Sequence, residues 1–565
     1  MNPLAPYKFV GRLLMALVAL TSMFWMTACG SGSSITPPNN EGFSDGSLTG
    51  TYVISMSGTD VNTASDEEFT FAIVGTITAD GKGGITGTVD INDPGVTGVN
   101  MGQAVSSSSS YSVKQDGRGT GKLVTPKGSF NVDFALSSTN HGLITRFDDV
   151  GTSVGTGSGT IDMQSTATQG SLSALAFSLS GVDSGGNPLV MVGGVALNTT
   201  TGAITSGTQD FNDSGSSAES GFNGLPVTGG SVFLSSGTSG TASFTNSSAS
   251  FGSLSFDVWV IDSTHLKIIE NDDTLNVLSG DAFTQQTSFP AGQLVFALGG
   301  FDSSFDPLAT GGFVTTDANG TLSNGTEDYN DAGSANTVTG FGGSCNATAP
   351  FAGGRCELAL SGFSNGALGS FVFAAYPYSS DGSSGVLMLE IDNFGLMQGS
   401  AYAQTATSFT APAGFGLNLS GENTDGQGDV GEVDNIAQFN ATTTAPPAIN
   451  LTGSLDENSI LGGLDPGVSL SGTYTPDSTP DGRGSITIPS ISTFIGTLNL
   501  EYYVANSSTV LFIDVDQDQV AVGTFEAQST PGAGAAMHAH PAIVHPAVRP
   551  RAAKQSKWAP AGSRK

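Results

Sequence analysis

Apolar and polar residues alternate along most of the chain after residue 47. Segments 69–73, 130–136 and 254–260 alternate strictly, and a period of two places successive side chains on opposite faces of a β-strand. We therefore expect one face of each strand to lie in a core and the other to face water. Asp-Gly and Asn-Gly turn signals separate the runs, at Asp80, Asp116, Asn319 and Asp481.

The first stretch of about 120 residues predicts eight strands, and no stretch after residue 47 has helical periodicity. The predicted strands are 51–57, 69–79, 84–91, 110–115, 119–125, 129–137, 142–147 and 157–163.

Three sequence markers recur in fixed order at a spacing of about 120 residues. The first marker is a closing segment that ends in Gln164, Gln285, Gln404 and Gln528. The second is Asp-x-Asn-Asp-x-Gly, which begins at Asp90, Asp210 and Asp328; we find no fourth copy. The third is an opening strand that ends in Gly58, Gly181, Gly299 and Gly421. The markers predict four β units, 47–165, 166–286, 287–405 and 406–528.

Eight short antiparallel strands in about 118 residues favour an up-and-down barrel, which removes exposed sheet edges. The size and meander resemble calycin-type barrels such as lipocalins and avidins. Each unit also contains two similar halves centred on turn signals. A β-propeller with two four-stranded blades per unit is therefore the alternative. The fold class expected is all-β, with four tandem antiparallel meander units.

Composition supports a β protein and excludes several classes. Of 565 residues, 79 are Gly and only 12% are charged, which excludes a coiled coil rich in Ala, Glu, Lys, Leu and Arg. A hydrophobic content of 38% with 33 Phe excludes wholesale disorder. The 49 acidic residues against 17 basic ones exclude nucleic acid as a partner of the body.

The amino terminus predicts export. Lys8 and Arg12 precede an apolar run of about fourteen residues, too short to span a membrane and typical of a signal peptide. The run ends Met-Thr-Ala-Cys-Gly, which resembles the lipobox of bacterial lipoproteins, with Met26 where the family usually has Leu. This resemblance implies a signal peptide over 1–28, acylation of Cys29, and anchoring in the outer membrane or at the cell surface. Residues 29–46 form a polar tether.

The two remaining cysteines are expected to have a structural role, and the carboxyl-terminal segment is expected to be a disordered, solvent-exposed tail. Cys345 and Cys356 predict a disulfide, because an exported protein meets an oxidising compartment. Residues 529–565 hold six Lys or Arg, no acid and three of the five His, and predict a disordered basic tail. This tail could touch an anionic envelope polymer or the acidic body.

The Asp-x-Asn-Asp-x-Gly marker admits two interpretations. One is an Asx-type turn, in which the side chains bond their own backbone. The other is a calcium site, because Ca²⁺ takes 6–8 oxygen ligands. The candidate ligands are Asp90, Asn92, Asp93, Asp210, Asn212, Asp213, Asp328, Asn330 and Asp331. No other cofactor is expected.

Nothing in the sequence predicts an enzyme. Outside the tail only His141 and His265 could serve as imidazole bases, and we expect both on strand edges at the surface. No nucleophile elbow, phosphate loop or Rossmann fingerprint stands in its required strand–helix context. The chain resembles uncharacterised repeat-bearing exported lipoproteins. We expect an envelope protein with a structural or binding role toward glycans, matrix or cells; the alternatives are a carrier of small apolar ligands and, less favoured, an envelope hydrolase.

Overall fold

The structure is a computed structural model. It describes residues 42–62, 67–148, 154–214, 223–246, 252–272, 276–317, 320–346, 354–361, 371–380, 383–409, 411, 413–424, 429–442, 449–489 and 496–529. Within these ranges the secondary structure is 32 β-strands and two short 3₁₀ helices, Asp45–Ser47 and Gln169–Ser171. No helix in this part of the chain is long and apolar enough to cross a membrane.

The strands follow the chain in four sets of eight. The first set is β1 Thr49–Asn62, β2 Glu67–Asp80, β3 Gly84–Asp93, β4 Gly98–Val113, β5 Arg118–Thr125, β6 Gly128–Leu136, β7 His141–Arg146 and β8 Val154–Met163. The second is β9 Ala174–Val182, β10 Pro188–Leu197, β11 Ile204–Asp213, β12 Leu225–Leu234, β13 Ser239–Asn246, β14 Ser253–Val260, β15 His265–Glu270 and β16 Val277–Gln285. The third is β17 Gly292–Asp302, β18 Pro307–Thr316, β19 Thr321–Asp331, β20 Ser334–Asn346, β21 Cys356–Ser361, β22 Val372–Ser380, β23 Ser383–Glu390 and β24 Gly395–Ala403. The last is β25 Ala413–Thr424, β26 Val430–Thr442, β27 Ile449–Ser459, β28 Gly463–Pro476, β29 Arg483–Ile488, β30 Leu498–Val504, β31 Thr509–Asp514 and β32 Gln519–Ala527.

These strands form three antiparallel sheets. Strands β1–β8 close into one barrel, here called the first barrel, and β25–β32 into another, the last barrel. Strands β9–β24 form a single sixteen-stranded sheet. In that sheet β16 pairs with both β9 and β15, and β24 pairs with both β17 and β23, so each half returns to its own first strand. We call these halves the second unit (β9–β16) and the third unit (β17–β24).

The predicted class, all-β with closed eight-stranded antiparallel barrels, is confirmed, and the propeller alternative is wrong. The prediction of four separate units is also wrong, because the second and third units share one sheet. They are joined where β16 runs past its own unit, pairing Thr284 with Ser379 and Gln285 with Tyr378. The unit limits predicted from the repeats fall between β8 and β9, β16 and β17, and β24 and β25.

The opening-strand glycines allow the first and last strands of a set to approach closely. A Cβ on Gly58 would lie 2.3 Å from the carbonyl oxygen of Thr156, and one on Gly421 would lie 2.2 Å from that of Val520. Any larger residue would push the closing strand away. The marker is therefore explained by barrel closure.

One face of the alternating strands fills the interior of each set, as expected. Buried apolar side chains of β1–β8 form one cluster, which includes Phe71, Ile73 and Phe134, and equivalent clusters fill the other three sets. The expectation that the opposite face meets water is wrong at many positions. Ala72 and Asp133, on that opposite face, are both buried.

The opposite faces are buried because neighbouring sets pack against each other, and we call each such contact a seam. The first barrel packs on the second unit through Ala72, Val74, Val182, Ile269 and Val277. The second and third units share a larger cluster that includes Val190, Phe283, Val295, Tyr376 and Leu389. The third unit meets the last barrel through Ala309, Ile513, Val520 and Val522. The last barrel meets the first through Ala135, Leu143 and Ile436. The four sets therefore form a closed ring.

Two local features complete the fold. Strand β4 begins at Gly98, twelve residues before the predicted start. The added residues are mostly Gly and polar, with no regular apolar alternation to predict a strand, and pairing with β3, interrupted by register shifts, holds them in place. Cys345 at the end of β20 and Cys356 at the start of β21 form a disulfide, with Cα atoms 5.5 Å apart.

Candidate functional site

The asparagine of the repeated Asp-x-Asn-Asp marker crosses each seam. Its side-chain amide donates hydrogen bonds to backbone carbonyl oxygens in the closing hairpin of the next set of strands. The acceptors are Glu270 and Asn276 for Asn92, Glu390 and Gly395 for Asn212, and Asp514, Asp516 and Gln519 for Asn330. All three asparagines are buried, so these bonds satisfy carbonyls that water does not reach. We call this contact the asparagine latch.

A fourth copy of the latch closes the ring. Asn458, on β27 of the last barrel, donates to the carbonyl oxygens of Arg146 at 2.7 Å and Gly155 at 2.8 Å in the first barrel. Asp456 precedes it by two residues, as in the other copies, and accepts from the backbone N–H of Gly467. The fourth repeat does lack the full marker, because Ser459 and Leu461 replace the second aspartate and the glycine, but it keeps the aspartate and the asparagine that form the latch.

The first aspartate of each marker also faces the next set, but its partner differs from seam to seam. Asp210 accepts from the guanidinium of Arg355 at 2.5 and 2.8 Å, and Asp328 accepts from that of Arg483 at 2.7 and 2.8 Å. Asp90 instead accepts from the indole N–H of Trp259 at 2.6 Å. Two of the four seams thus carry a bidentate arginine–carboxylate pair, the geometry that gives the strongest charge-assisted bonds.

The last-to-first seam differs, because two carboxyl groups face each other there. Burial, and to a smaller extent the nearby charge of Asp456, raises the pKa of Asp133 to about 7. Deeper in this seam the carboxyls of Glu432 and Asp434 share a buried site with Thr59, Thr156 and Ser158 of the first barrel, which donate to them. Burial and the adjacent Asp434 raise the pKa of Glu432 well above its usual range.

The closing glutamines form a second repeated contact. Gln164 donates to the carbonyl oxygens of Thr238 and Val260 in the second unit. Gln404 makes the same contact to Asp481 and Val504 in the last barrel, and Gln528 makes it to Asp116 and Leu136 in the first barrel. At the second-to-third seam the neighbouring Gln286 donates to the hydroxyl of Ser379 instead. These contacts explain why the glutamine recurs in the first, third and last sets.

The two histidines outside the tail are buried, so their predicted surface placement is wrong. The imidazole of His141 lies 2.6 Å from Asp162 of its own barrel and 3.1 Å from Glu526 of the last barrel. Burial opposes its charge, but the two carboxylates outweigh burial and raise its pKa to about 9. His265 lies 2.6 Å from Asp281, which also accepts from Lys267 at 2.7 Å.

A small polar cavity opens where the first barrel and the second and third units meet. Its volume is about 50 Å³, room for a few water molecules. Hydroxyl side chains dominate its lining: Ser55, Ser57, Ser158, Thr160, Ser178, Ser180 and Ser279. Lys267, Asp281 and Gln398 complete the polar wall, and the Oε1 atom of Gln398 is buried with no hydrogen-bond partner.

The residues predicted as calcium ligands make contacts within the protein. In the first copy, Asp90 and Asn92 bond across the seam, while Asp93 accepts from the backbone and hydroxyl of Thr97, a local turn contact. No group of three or more His, Cys, Asp or Glu side chains placed to hold a metal occurs within the described ranges. Calcium binding stays a prediction, which thermal unfolding in calcium and in EDTA would test. Cys29 and residues 530–565 lie outside the described residues.

Loss of the latch at Asn458 should open the ring at one seam. Replacing Asn458 with Leu leaves two buried carbonyl oxygens without a donor, at about 1–3 kcal/mol each. We expect faster amide hydrogen exchange in β7 and β8, with little change in β19–β21, far from this seam. The Asn198→Leu variant, at an exposed turn, serves as the control. Unchanged amide hydrogen exchange in β7 and β8 would show that the hydrogen bonds of Asn458 do not hold this seam closed.

The comparisons with known proteins give distant structural similarities. No family model matches the chain and no curated protein is similar to it in sequence. Intact Ap-TbpB (N and C lobes) is similar at 10% identity over 69% of this chain and 84% of that chain, with a TM-score of 0.18. A double mutant of the vaccine antigen Transferrin Binding Protein B from Haemophilus parasuis Hp5 is similar at 12% identity over 69% and 83%, with a TM-score of 0.17.

The isotype 1 Transferrin binding protein B from serogroup B Neisseria meningitidis gives 9% identity over 68% of this chain and 84% of that chain, with a TM-score of 0.15. The structural similarity to these proteins is distant. Such scores are too low to establish a shared fold.

Proposed function

We propose that this chain is a lipid-anchored cell-envelope protein whose ring of barrels serves a structural or binding role. The observation that carries the proposal is the repetition of one contact, the asparagine latch, at all four seams, including the seam between the last and first barrels. Such a ring holds every set of strands on two sides. A rigid scaffold of this kind is suited to presenting loops and outer strand faces to a partner.

The outer strand faces favour a hydrophilic partner such as a glycan. On β28 the outward side chains are Ser469, Ser471, Thr473 and Thr475, and all four are exposed. On β4 the exposed Ser108, Ser110 and Ser112 form a similar row. Hydroxyl groups both donate and accept, so a row of them along a strand matches the hydroxyls of a sugar chain.

The carrier alternative is less favoured because the interiors are occupied. Phe415, Phe439 and Phe525 pack against one another in the centre of the last barrel, with ring centroids 5.3 to 5.5 Å apart. An eight-stranded barrel has an interior just wide enough either for side chains or for one small ligand. A fluorescent apolar probe should therefore show no saturable binding at one site per barrel, and saturable binding would favour the carrier.

A glycan array tests the binding role. The probe is the chain from residue 29 with Cys29→Ser, which carries no acyl group, and a variant with Ser471→Lys and Thr473→Lys is the comparison. We expect binding to one class of glycan and its loss in the variant, with unchanged thermal unfolding, since both positions are exposed. Binding that persists in the variant would remove β28 from the proposed surface. Absence of binding to any glycan would leave the structural role.

Fractionation tests the anchor separately. The precursor with Cys29→Ser should leave the outer-membrane fraction, because acylation at this position supplies the anchor. A variant that still fractionates with the outer membrane would contradict the anchoring proposal.

A further inference from the structure

The stretch of the first barrel that contains β4, β5 and most of β6 differs in charge from the rest of the body. Residues 94–132 hold one acid and four basic side chains: Lys114, Arg118, Lys122 and Lys127. The equivalent stretch of the last barrel, residues 460–500, holds three acids and one base. Over residues 29–529 the chain carries nine basic and 49 acidic side chains. The first barrel therefore carries a cationic region on a strongly acidic molecule.

Three lysines supply the net charge of this region. Lys114, between β4 and β5, Lys122, on β5, and Lys127, between β5 and β6, are all exposed. Within the described ranges no ion pair joins any of them to a carboxylate. Arg118 adds no net charge, because its guanidinium lies 3.0 Å from the carboxylate of Asp116. Three ammonium groups therefore follow one strand and its two turns, where a solvent-borne anion can reach them.

Uncharged polar side chains surround Lys122 on the outer face of these strands. Ser110 of β4 and Asn131 of β6 lie directly opposite Lys122. Ser112 and Thr120 form the next cross-strand pair, and both are exposed, with hydroxyl oxygens 3.2 Å apart. Neighbouring strands are about 4.8 Å apart, and side chains on one face of a strand recur about every 6.8 Å. The result is a grid of hydroxyl, amide and ammonium groups, here called the lysine face.

The last barrel has an equivalent face without the lysine. Thr487 on β29 takes the position of Lys122. It is exposed and lies opposite Asn499, the counterpart of Asn131. The exposed hydroxyl rows of β4 and β28 also occupy equivalent strands. The two faces therefore share their hydroxyl and amide groups and differ in charge.

We propose that the lysine face binds an acidic polysaccharide, whose sugars carry carboxylate groups beside their hydroxyls. The inference rests on the proposed glycan-binding function and assigns the charge of the ligand at one of its faces. The ammonium groups of Lys114, Lys122 and Lys127 pair with the carboxylates, and the Ser and Thr hydroxyls bond those of the sugars. Each exposed ion pair contributes little alone, but a polymer forms several at once. The acidic stretch of the last barrel repels the same ligand.

Lysine footprinting tests the contact residue by residue. The chain from residue 29 with Cys29→Ser is acetylated with and without oligogalacturonate, and peptide mass spectrometry measures the acetylation of each lysine. With the oligosaccharide at about twice its Kd, acetylation of Lys122 and Lys127 should fall about threefold. Lys82, exposed between β2 and β3, is the internal control and should not change. The methyl ester of the same oligosaccharide lacks the charge and should not protect. High salt should remove the protection by screening the attraction.

The Lys122→Thr variant gives the first barrel the residue that the last barrel has. In this variant the oligogalacturonate concentration that halves the acetylation of Lys127 should rise about threefold, the effect of losing one exposed ion pair. Lys82→Thr is the matched control and should leave this concentration unchanged. Because the signal is read at Lys127, binding of the oligosaccharide elsewhere on the chain does not enter it.

Three results would overturn the inference. Equal acetylation of Lys122 and Lys127 with and without oligogalacturonate would show that no acidic sugar chain contacts the face. Equal protection by the methyl ester would show that the lysines do not select charge. Equal protection by polyglutamate, which has carboxylates but no sugar hydroxyls, would assign the face to an acidic peptide instead. Each result leaves the proposed function standing or falling on the glycan array, where the substitutions on β28 report on a different barrel.

Discussion

Replacing Arg355 with Met should destabilise the second and third units by about 3–5 kcal/mol. The Arg355 guanidinium bonds both carboxylate oxygens of Asp210 across their seam, and both side chains are buried. The substitution keeps most of the side-chain volume but leaves a buried carboxylate without a counter-charge, which is costly in a low-dielectric site. The hydroxyl of Tyr376 still donates to Asp210, so part of the site is retained. Urea unfolding measures the loss in the free energy of unfolding, and amide hydrogen exchange in β11 and β22 locates the loss at this seam.

The double variant with Asp210→Asn and Arg355→Met separates the charge from the packing. Because it removes both charges, it should recover most of the lost stability. Arg118→Met is the matched control, since Arg118 pairs with Asp116 in a partly exposed local contact and should lose less than about 1 kcal/mol. A double variant no more stable than Arg355→Met alone would show that the pair acts through shape and not through charge.

The repeat and the barrels could be predicted from the sequence, because both leave local signals. Alternation marked the strands, turn dipeptides marked their ends, and the closing Gln and opening Gly recurred at the period of one set. Strand β7, predicted over 142–147, is observed over His141–Arg146. Alternation, the turn dipeptides and the opening Gly depend on neighbours within one set of strands. The closing Gln bonds the next set, and only its recurrence was visible in the sequence.

The seams could not be predicted, because they depend on which face meets a neighbour far along the chain. Asp133 and Ala135 alternate with core residues as solvent-facing residues do. In the structure, however, Asp456 lies near Asp133 and Ile436 packs against Ala135, each from some 300 residues away along the chain. The recurring marker showed that Asn and Asp are needed at these positions, but the same side chains could serve in a metal site, in a turn or in a contact between sets. Only the carbonyl partners in the next set of strands show which role the asparagine has.

Raising the pH from about 5 to 9 should destabilise the ring. Burial raises the pKa values of Asp93, Asp133 and Glu327 to about 7. These groups keep their protons in the folded protein up to about pH 7 but lose them near pH 4 when it unfolds. The free energy of unfolding therefore falls as the pH rises between these values. A shift of about three units in one carboxyl corresponds to a loss on the order of 4 kcal/mol.

His141 extends the same trend to higher pH. Its pKa, raised to about 9, means that its stabilising charge is complete below about pH 6.5 and is lost as the pH rises through 9. Asp281 has the opposite effect on stability. Burial opposes its charge, but Lys267 and His265 outweigh burial and lower its pKa, so its contribution to stability is lost only as the pH falls below about 4. We therefore expect the highest melting temperature near pH 5 and a continuous decline toward pH 9.

The Asp133→Asn variant assigns part of this decline to the last-to-first seam. Asn cannot ionise, so the variant should match the parent near pH 5 and exceed it in melting temperature near pH 8, where Asp133 and Asp456 repel each other across the seam. Asp80→Asn is the control, because Asp80 is exposed at a turn and faces no other set of strands. Equal pH dependence in the Asp133→Asn variant and the parent would show that Asp133 does not change its protonation state on unfolding. A gain near pH 8 would instead show that ionisation of Asp133 in the seam that closes the ring contributes to the loss of stability at alkaline pH.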